Sequence, residues 1–246
     1  MSHRDSERIC LQTGDLWGKK DSVVIFRRIS AQEHFTVPEN IEITATRMND
    51  SWVNKLHREL FGYGTIPENE WNKLMNMVRL VRLGKCQYFV KIGDVPDKLG
   101  FISSGIFRIF FITEQGDEKI LAFRAENQFL SAFSQFLQGQ PSWCGIQALA
   151  ESLLLCINLE EYNQLVSEHS CWNTLSRKYL ENLFIEKEKR EREFLSEDAT
   201  ARYLSFKHNN PGLEEKISQY HIASYLGITP VALSRIRKNL KKMPTS

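Results

Sequence analysis

The side chains with the clearest chemical signal lie near the C-terminus, in the run ISQYHIASYLGITPVALSRIRKNL at 217–240. Thr229 offers a hydroxyl to cap a helix, and Pro230 takes the first helical position, where no N–H is needed. From there Leu233, Ile236 and Leu240 recur at i, i+3 and i+7 and turn inward. That leaves Val231, Ser234, Arg235, Lys238 and Lys241 outside with Thr229 and Pro230. Guanidinium, ammonium and hydroxyl groups on one helix face are donors that phosphate oxygens and base edges accept from. Upstream, Ile222, Ala223 and Leu226 form the apolar face of a shorter helix opened by Gln219 and His221. Gly227 ends it, because glycine takes a left-handed backbone without penalty. The pattern predicts a helix-turn-helix whose second helix enters the major groove of duplex DNA. Arg235 would reach a guanine edge or a phosphate, and Arg237, Lys238, Lys241 and Lys242 would meet phosphates; His221 would contact a phosphate or serve as a surface or capping residue. An ordinary αα-hairpin shares the spacing; the cap, the small Ala223 at the helix crossing and the basic outer face favour the DNA reading.

Charge is divided along the chain in the same sense. The 246 residues carry 32 Lys+Arg and 30 Asp+Glu, a net +2 that by itself argues against nucleic acid. Residues 199–246 hold eight basic side chains and only Glu214 and Glu215 against them; that is +6, and it leaves −4 on residues 1–198. A small basic unit on a weakly acidic body suits a nucleic-acid-binding module joined to another domain.

The elements that would carry this unit change character along the chain. Between 78 and 160, short runs rich in β-branched and aromatic residues (CQYFVKIGD, GFISSGIFRIFFITEQGDEKILAF, NQFLSAF, SLLLCINL) alternate with turn signals. The stretches 106–113 and 118–123 flank Gln-Gly-Asp, a hairpin signal. Strands at this spacing predict a small barrel or jelly roll. Residues 172–195 then read as one long helix, with Trp172, Leu175, Tyr179, Leu180, Leu183 and Phe184 clustered early and a charged run, EKEKRERE, after them.

A jelly roll, a long helix and a helix-turn-helix in that order resemble the Crp/Fnr family of bacterial transcription regulators. The resemblance spans 54–241 and is most specific at 91–94, at 101–105 with the following hairpin, and in the C-terminal motif, whose ITPVALSRIRK looks most like the subgroup common in Bacteroidetes-type bacteria. It implies an α+β chain made of a double-stranded β-helix (a jelly roll of the cyclic-nucleotide-binding type), a long dimerisation helix and a C-terminal helix-turn-helix. The implied domains are an extension at 1–47, a sensor at 48–170, the dimer helix at 171–195 and the DNA-binding domain at 196–246, with a hinge at 196–198. Trp172, Leu175, Tyr179 and Leu183 would form the dimer seam. A homodimer on palindromic double-stranded DNA, contact with RNA polymerase and a small-molecule effector complete the implied set of partners.

The sequence departs from the family where a cyclic nucleotide would bind. Members that hold one use a Gly-Glu pair and, some ten residues on, an Arg-Ser/Thr pair. Here Ser131 and Ala132 stand at the first pair, and Ser142 and Trp143 fall near the second. A buried cyclic phosphate would lose a charge-assisted bidentate contact, so the effector is expected to be something other than cAMP, or absent. The wall is apolar and aromatic (Phe129, Leu130, Phe133, Phe136, Trp143), which fits either plain core or a pocket for another ligand. Pro230 and Val231 replace an Arg-Glu pair that reads bases in many members, which predicts a different operator. The short tail after the second helix leaves no room for the wing hairpin many members have.

The five cysteines (Cys10, Cys86, Cys144, Cys156, Cys171) are scattered and show no C-x-x-C spacing. That favours a reducing cytoplasm and argues against a disulfide scaffold or an iron–sulfur cluster. A haem would need an axial His57 or His169. A thiol switch at Cys86, Cys144 or Cys156 would need a reactivity that buried cysteines usually lack. No nucleotide-binding glycine motif, nucleophile elbow or H-E-x-x-H is present, and neither a metal, a cofactor nor enzymatic activity is expected. Residues 1–47, with balanced charge and no clear periodicity, read as an extension that is either poorly ordered or upstream of a native start at Met48. No apolar run reaches the ~20 residues of a membrane span. The alternative reading is a ligand-binding sensor whose helix-turn-helix docks a protein partner instead of DNA.

Overall fold

A computed structural model describes residues 42–44 as main chain and residues 50–241 in full. Two antiparallel sheets stack as the expected jelly roll. The first has the strand order β1-β2-β9-β4-β7 and the second β3-β8-β5-β6. The strands are β1 (Glu42–Thr44), β2 (Arg79–Leu83), β3 (Tyr88–Val90), β4 (Lys98–Ser104), β5 (Ile106–Ile112), β6 (Glu118–Ala125), β7 (Phe129–Leu130), β8 (Gly145–Ala148) and β9 (Ser152–Asn158). Strand β1 lies within the segment expected to be an extension and pairs with β2, Ile43 opposite Val81. Residues 1–41 and 45–49 lie outside the described residues, as do Lys242 and the four residues after it.

The hairpin read from Gln-Gly-Asp joins β5 to β6. Gly116 takes φ 85°, and Thr113 closes the turn, its N–H donating to the Asp117 carbonyl at 2.9 Å. Between β4 and β5, Gly105 sits at φ 117°, and a Cβ there would come within 2.1 Å of Ser152 Oγ, so glycine is required on both counts.

Period-2 alternation gives each sheet an inner and an outer face. Ile102, Phe107, Ile146 and Leu154, each 0% exposed, fill the interior with Phe136. On the outer face of the first sheet, Leu80, Phe101, Leu153, Leu155 and Ile157 pack under helices α1 (Asp50–Tyr63), α2 (Glu68–Met77), α4 (Leu159–Glu168) and the root of α5 (Ser170–Ser196). Helix α3 (Phe133–Gln138) lies between β7 and β8 and ends at the left-handed Gly139. A capping box of Asn158 and Glu161 starts α4, and His169 caps α5, its Nδ1 accepting from the Cys171 N–H at 3.1 Å.

The 27-residue α5 corresponds to the long helix read from the sequence. It stops at extended Glu197, and Asp198 caps α6 (Ala199–Asn209) by accepting from the N–H groups of Thr200 and Ala201, both at 2.8 Å. Helices α7 (Gln219–Leu226) and α8 (Pro230–Leu240) complete the chain.

Candidate nucleic-acid interface and the joint that carries it

The helix-turn-helix forms by the chemistry read from its residues. Ser218 caps α7 by accepting from the His221 N–H at 3.3 Å. Gly227 ends the helix at φ 70°, Thr229 Oγ1 accepts from the Ala232 N–H at 3.2 Å, and Pro230 opens α8. Ile222 and Ala223 are fully buried with Leu233, and Leu226 is 1% exposed; Ile236 and Leu240 pack partly buried against them.

On the outer side of α8, Thr229, Pro230, Val231, Ser234, Arg235, Lys238 and Lys241 are all exposed, as is Gln219 at the start of α7. Arg237 stands apart from this set. It is half-buried, with its guanidinium 3.1 Å from Glu214, a carboxylate that also pairs with Lys207 at 3.6 Å. His221 differs as well. Its Nδ1 is buried without a partner, and burial, with Arg108 of β5 nearby, lowers its pKa from 6.5 to about 4. At neutral pH it is an uncharged ring on the side of α7 toward the barrel, so no phosphate is neutralised there.

The sequence reading did not anticipate how firmly this unit is joined to the barrel. Ile106, Phe110, Ile120 and Phe123 form one continuous core with Tyr203, Phe206, Ile222, Leu226 and Leu233. Strand β6 is the edge of its sheet, with main-chain groups open on one side. Ser224 of α7 engages that edge, its hydroxyl donating to the Glu118 carbonyl and accepting from the Ile120 N–H, both at 3.2 Å. At the same C-terminal end of α7, two arginines serve carbonyls that the helix itself leaves unpaired. Arg190 of α5 donates to the Tyr225 carbonyl at 2.9 Å and lies 3.6 Å over the Tyr225 ring. Arg202 of α6 donates to the Leu226 carbonyl at 3.2 Å and to the carbonyl of Glu197, between α5 and α6, at 2.6 Å. Below the joint, buried Arg108 is held by Glu118 and Gln147, its Nε donating to Gln147 Oε1 at 2.8 Å.

The residues expected at a dimer seam are also distributed in a way the helical period alone does not show. Trp172 and Leu175, 6% and 4% exposed, belong to this chain's own core. Trp172 Nε1 donates to buried Glu70 at 2.8 Å, and Lys73 pairs with the same carboxylate at 3.0 Å. Tyr179 packs on Phe129 and Tyr63, with centroids 5.2 and 6.1 Å apart, and Leu183 is partly buried. The large apolar side chains that α5 leaves to solvent are Phe184, Ile185, Phe194 and Leu195, at 68, 61, 42 and 82% exposure.

The residues expected around an effector do not converge. Ser131 donates to the Lys98 carbonyl at 3.3 Å, while Leu130 and Ala132 are core. Ser142 Oγ donates to the Cys144 carbonyl at 2.7 Å, and the Ser142 main chain pairs with Gly93 and Asp94 at 2.7 and 2.8 Å. Trp143 is 54% exposed and lies against Phe111. Of the expected wall, Phe129 and Phe133 line a cavity of about 90 Å³, which lies outside the barrel between the first sheet's outer face and α1, α4 and α5. At ~24 cal/mol per Å³, a void of that size costs about 2 kcal/mol if empty. Burial raises the thiol pKa of both Cys144 and Cys156, the latter to about 12, which makes them poor redox switches. His57 stacks on Phe61 with centroids 3.9 Å apart. Among the described residues, no group of three or more His, Cys, Asp or Glu is placed to hold a metal, and no helix is long and apolar enough to cross a membrane.

Residues 80–169 match the cyclic nucleotide-binding domain family. No curated protein matches the chain by sequence. Solved structures share its fold at low identity. The c-di-GMP responsive global regulator CLP of Xanthomonas campestris aligns at 15% identity and TM-score 0.58, over 71% of this chain and 92% of its own. A transcriptional regulator of the Crp/Fnr family from Eubacterium rectale aligns at 16% and 0.58, over 72% and 84%. A mutant of CooA from Carboxydothermus hydrogenoformans aligns at 18% and 0.57, over 82% and 87%.

Proposed function

We propose that this chain, a cyclic nucleotide-binding domain joined to a helix-turn-helix on the fold of the Crp/Fnr regulators, is a sequence-specific DNA-binding transcription regulator. The observation that carries the reading is the outer face of α8, where a capped helix presents Arg235, Lys238 and Lys241 to solvent while Leu233 anchors its inner side. Arg235 reads a base edge; Lys238 and Lys241 position the protein on phosphates. The protein acts as a homodimer in the cytoplasm, on a two-fold symmetric operator, and in contact with RNA polymerase. Support for the dimer comes from Phe184, Ile185 and Leu195, which interrupt an otherwise charged helix surface and would be covered by a second α5.

The effector is something other than cAMP, or none. The Ser142 hydroxyl is already bonded to main chain, and among the described residues its hydrogen-bond partners include no arginine to meet a cyclic phosphate. A partner-docking role for the helix-turn-helix has less support. The protein-facing side of α7 meets this chain's own β6, and α8 remains open.

Selection of binding sites from a random duplex pool tests the proposal. The expected product is a pseudo-palindrome whose half-sites lie about 10 bp, or one helical turn, apart. A pool with no enriched sequence would refute it.

A further inference from the structure

We propose that the cavity beneath α5 is a binding site for a small, uncharged, single-ring aromatic molecule. Its walls come from α1, α2, β4, β7, α3, β9, α4 and α5, with Leu56, Leu99, Phe129, Phe133, Tyr162 and Tyr179 among them. It lies on the opposite face of the first sheet from the barrel interior, because Phe101 and Leu155 turn toward it while Ile102 and Leu154 turn away. It is therefore separate from the place where Ser131 and Ser142 stand.

The lining selects the occupant. No lysine, arginine, histidine, aspartate or glutamate lines the cavity, so a charged ligand would lose its hydration without gaining a partner. The Tyr162 hydroxyl and Ser176 Oγ bond each other at 3.1 Å, so a water molecule would find few of the two to four partners it needs. The aromatic walls meet edge to face: Phe129–Tyr179 at 5.2 Å and 74°, Phe133–Tyr179 at 6.3 Å and 72°, Phe133–Tyr162 at 6.5 Å and 85°. Another ring can join that set in the same geometry. The volume, about 90 Å³, is below the ~150 Å³ of a dry engineered cavity that takes up benzene. Phe133 and Tyr179 are only half-buried and can yield the difference.

The site is placed to act on the rest of the molecule. A ring seated between Phe129, Phe133 and Tyr179 fixes the spacing between the α3 segment and α5. The distal part of α5 carries Arg190, which holds the end of α7. An occupant that fits one placement of α5 better than another shifts the helix-turn-helix accordingly. This coupling rests on the proposed regulator function; the binding does not.

The test is a titration of benzene into the full chain, followed by tryptophan emission (Trp172 lines the site) and by melting temperature. Saturable binding with a rising Tm is expected, together with intermolecular NOEs from benzene to methyl groups of Leu99 and Leu175. Val166→Phe and Leu60→Phe each add carbon to the cavity, and either one that folds should weaken benzene binding at least tenfold. Absence of saturable binding, NOEs confined to other residues, or unchanged affinity in a folded filling variant would overturn the site. DNA affinity measured with and without benzene addresses the coupling: at least a threefold change supports it, and no change in a benzene-bound protein refutes it. A chain that binds benzene and not DNA would refute the regulator reading while leaving the site intact.

Discussion

Replacing Arg190 by leucine removes the best-placed tie between the long helix and the helix-turn-helix. Its guanidinium donates to the Tyr225 carbonyl at 2.9 Å, approaches the Ile120 carbonyl at 3.5 Å and covers the Tyr225 ring at 3.6 Å. A hydrogen bond from a charged donor contributes about 1.5–3 kcal/mol, and a partly desolvated cation–π contact about 0.5–2 kcal/mol. Burial lowers the Arg190 pKa, a sign that its charge is costly to hold there and that leucine recovers part of the loss. The net effect should be about 2–3 kcal/mol, confined at first to the joint. Amide exchange across α7 then rises roughly 30- to 150-fold, at ~1.4 kcal/mol per tenfold, while β2 and β9 in the barrel keep their protection. Arg190→Lys keeps the charge without the planar fork and should fall between the two. Exchange in α7 within threefold of the parent in Arg190→Leu, or full restoration by lysine, would refute the idea that this contact holds the joint.

Three further outcomes follow from the same geometry. His221 keeps a pKa of about 4 in the folded chain against 6.5 when exposed, so below pH 6.5 the unfolded chain binds a proton that the folded one does not. Stability should therefore fall as pH drops from 6.5 toward 4, by no more than ~1.4 kcal/mol per unit, and His221→Gln should flatten that part of a urea-melt pH profile. Trp172→Phe strips the buried Glu70 carboxylate of the N–H that chiefly holds its pKa below the usual range, with Lys73 contributing less. It should cost about 1–3 kcal/mol in denaturant melts at neutral pH, and the loss should shrink in acid, as protonation removes the carboxylate that both forms must accommodate. Arg235→Ala should weaken selected-operator binding by about 1–3 kcal/mol and relax one base position, whereas Lys241→Ala should weaken all sequences about equally; competition with single-base variants distinguishes the two.

Much of the architecture could be read from the sequence because local chemistry decided it. Thr229, Pro230 and Gly227 set the turn between α7 and α8 by capping and φ preference alone, and Gln-Gly-Asp set the β5–β6 hairpin. What escaped depends on neighbours distant in the chain. Trp172 and Leu175 carry the same apolar signal as a dimer seam, and only the sheet and Glu70, 102 residues from Trp172, show that they are used within the protomer. Arg190 sits in EKEKRERE and reads as a solvated charge; the aromatic Phe194 four residues on, its ring centroid 4.9 Å from the guanidinium, was the available local hint of an aromatic partner. His221 reads as a phosphate contact or a surface or capping residue because its place at the start of α7 is set locally, whereas its nearness to Arg108 of β5 is not. The cavity has no sequence signature, since its lining comes from eight elements and is made of ordinary core residues.

The central claim is that the basic unit at the C-terminus binds DNA through its phosphates as well as its bases. The affinity of the full chain for duplex DNA, measured by fluorescence anisotropy between 50 and 300 mM salt, tests it most directly. Two exposed cations assigned to phosphates at the end of each α8, Lys238 and Lys241, give roughly four phosphate contacts for a dimer and a log–log slope of about −3.6. A steep linear fall near that slope is the predicted result. Negligible affinity at 50 mM salt, or affinity that does not change with salt, would contradict the account.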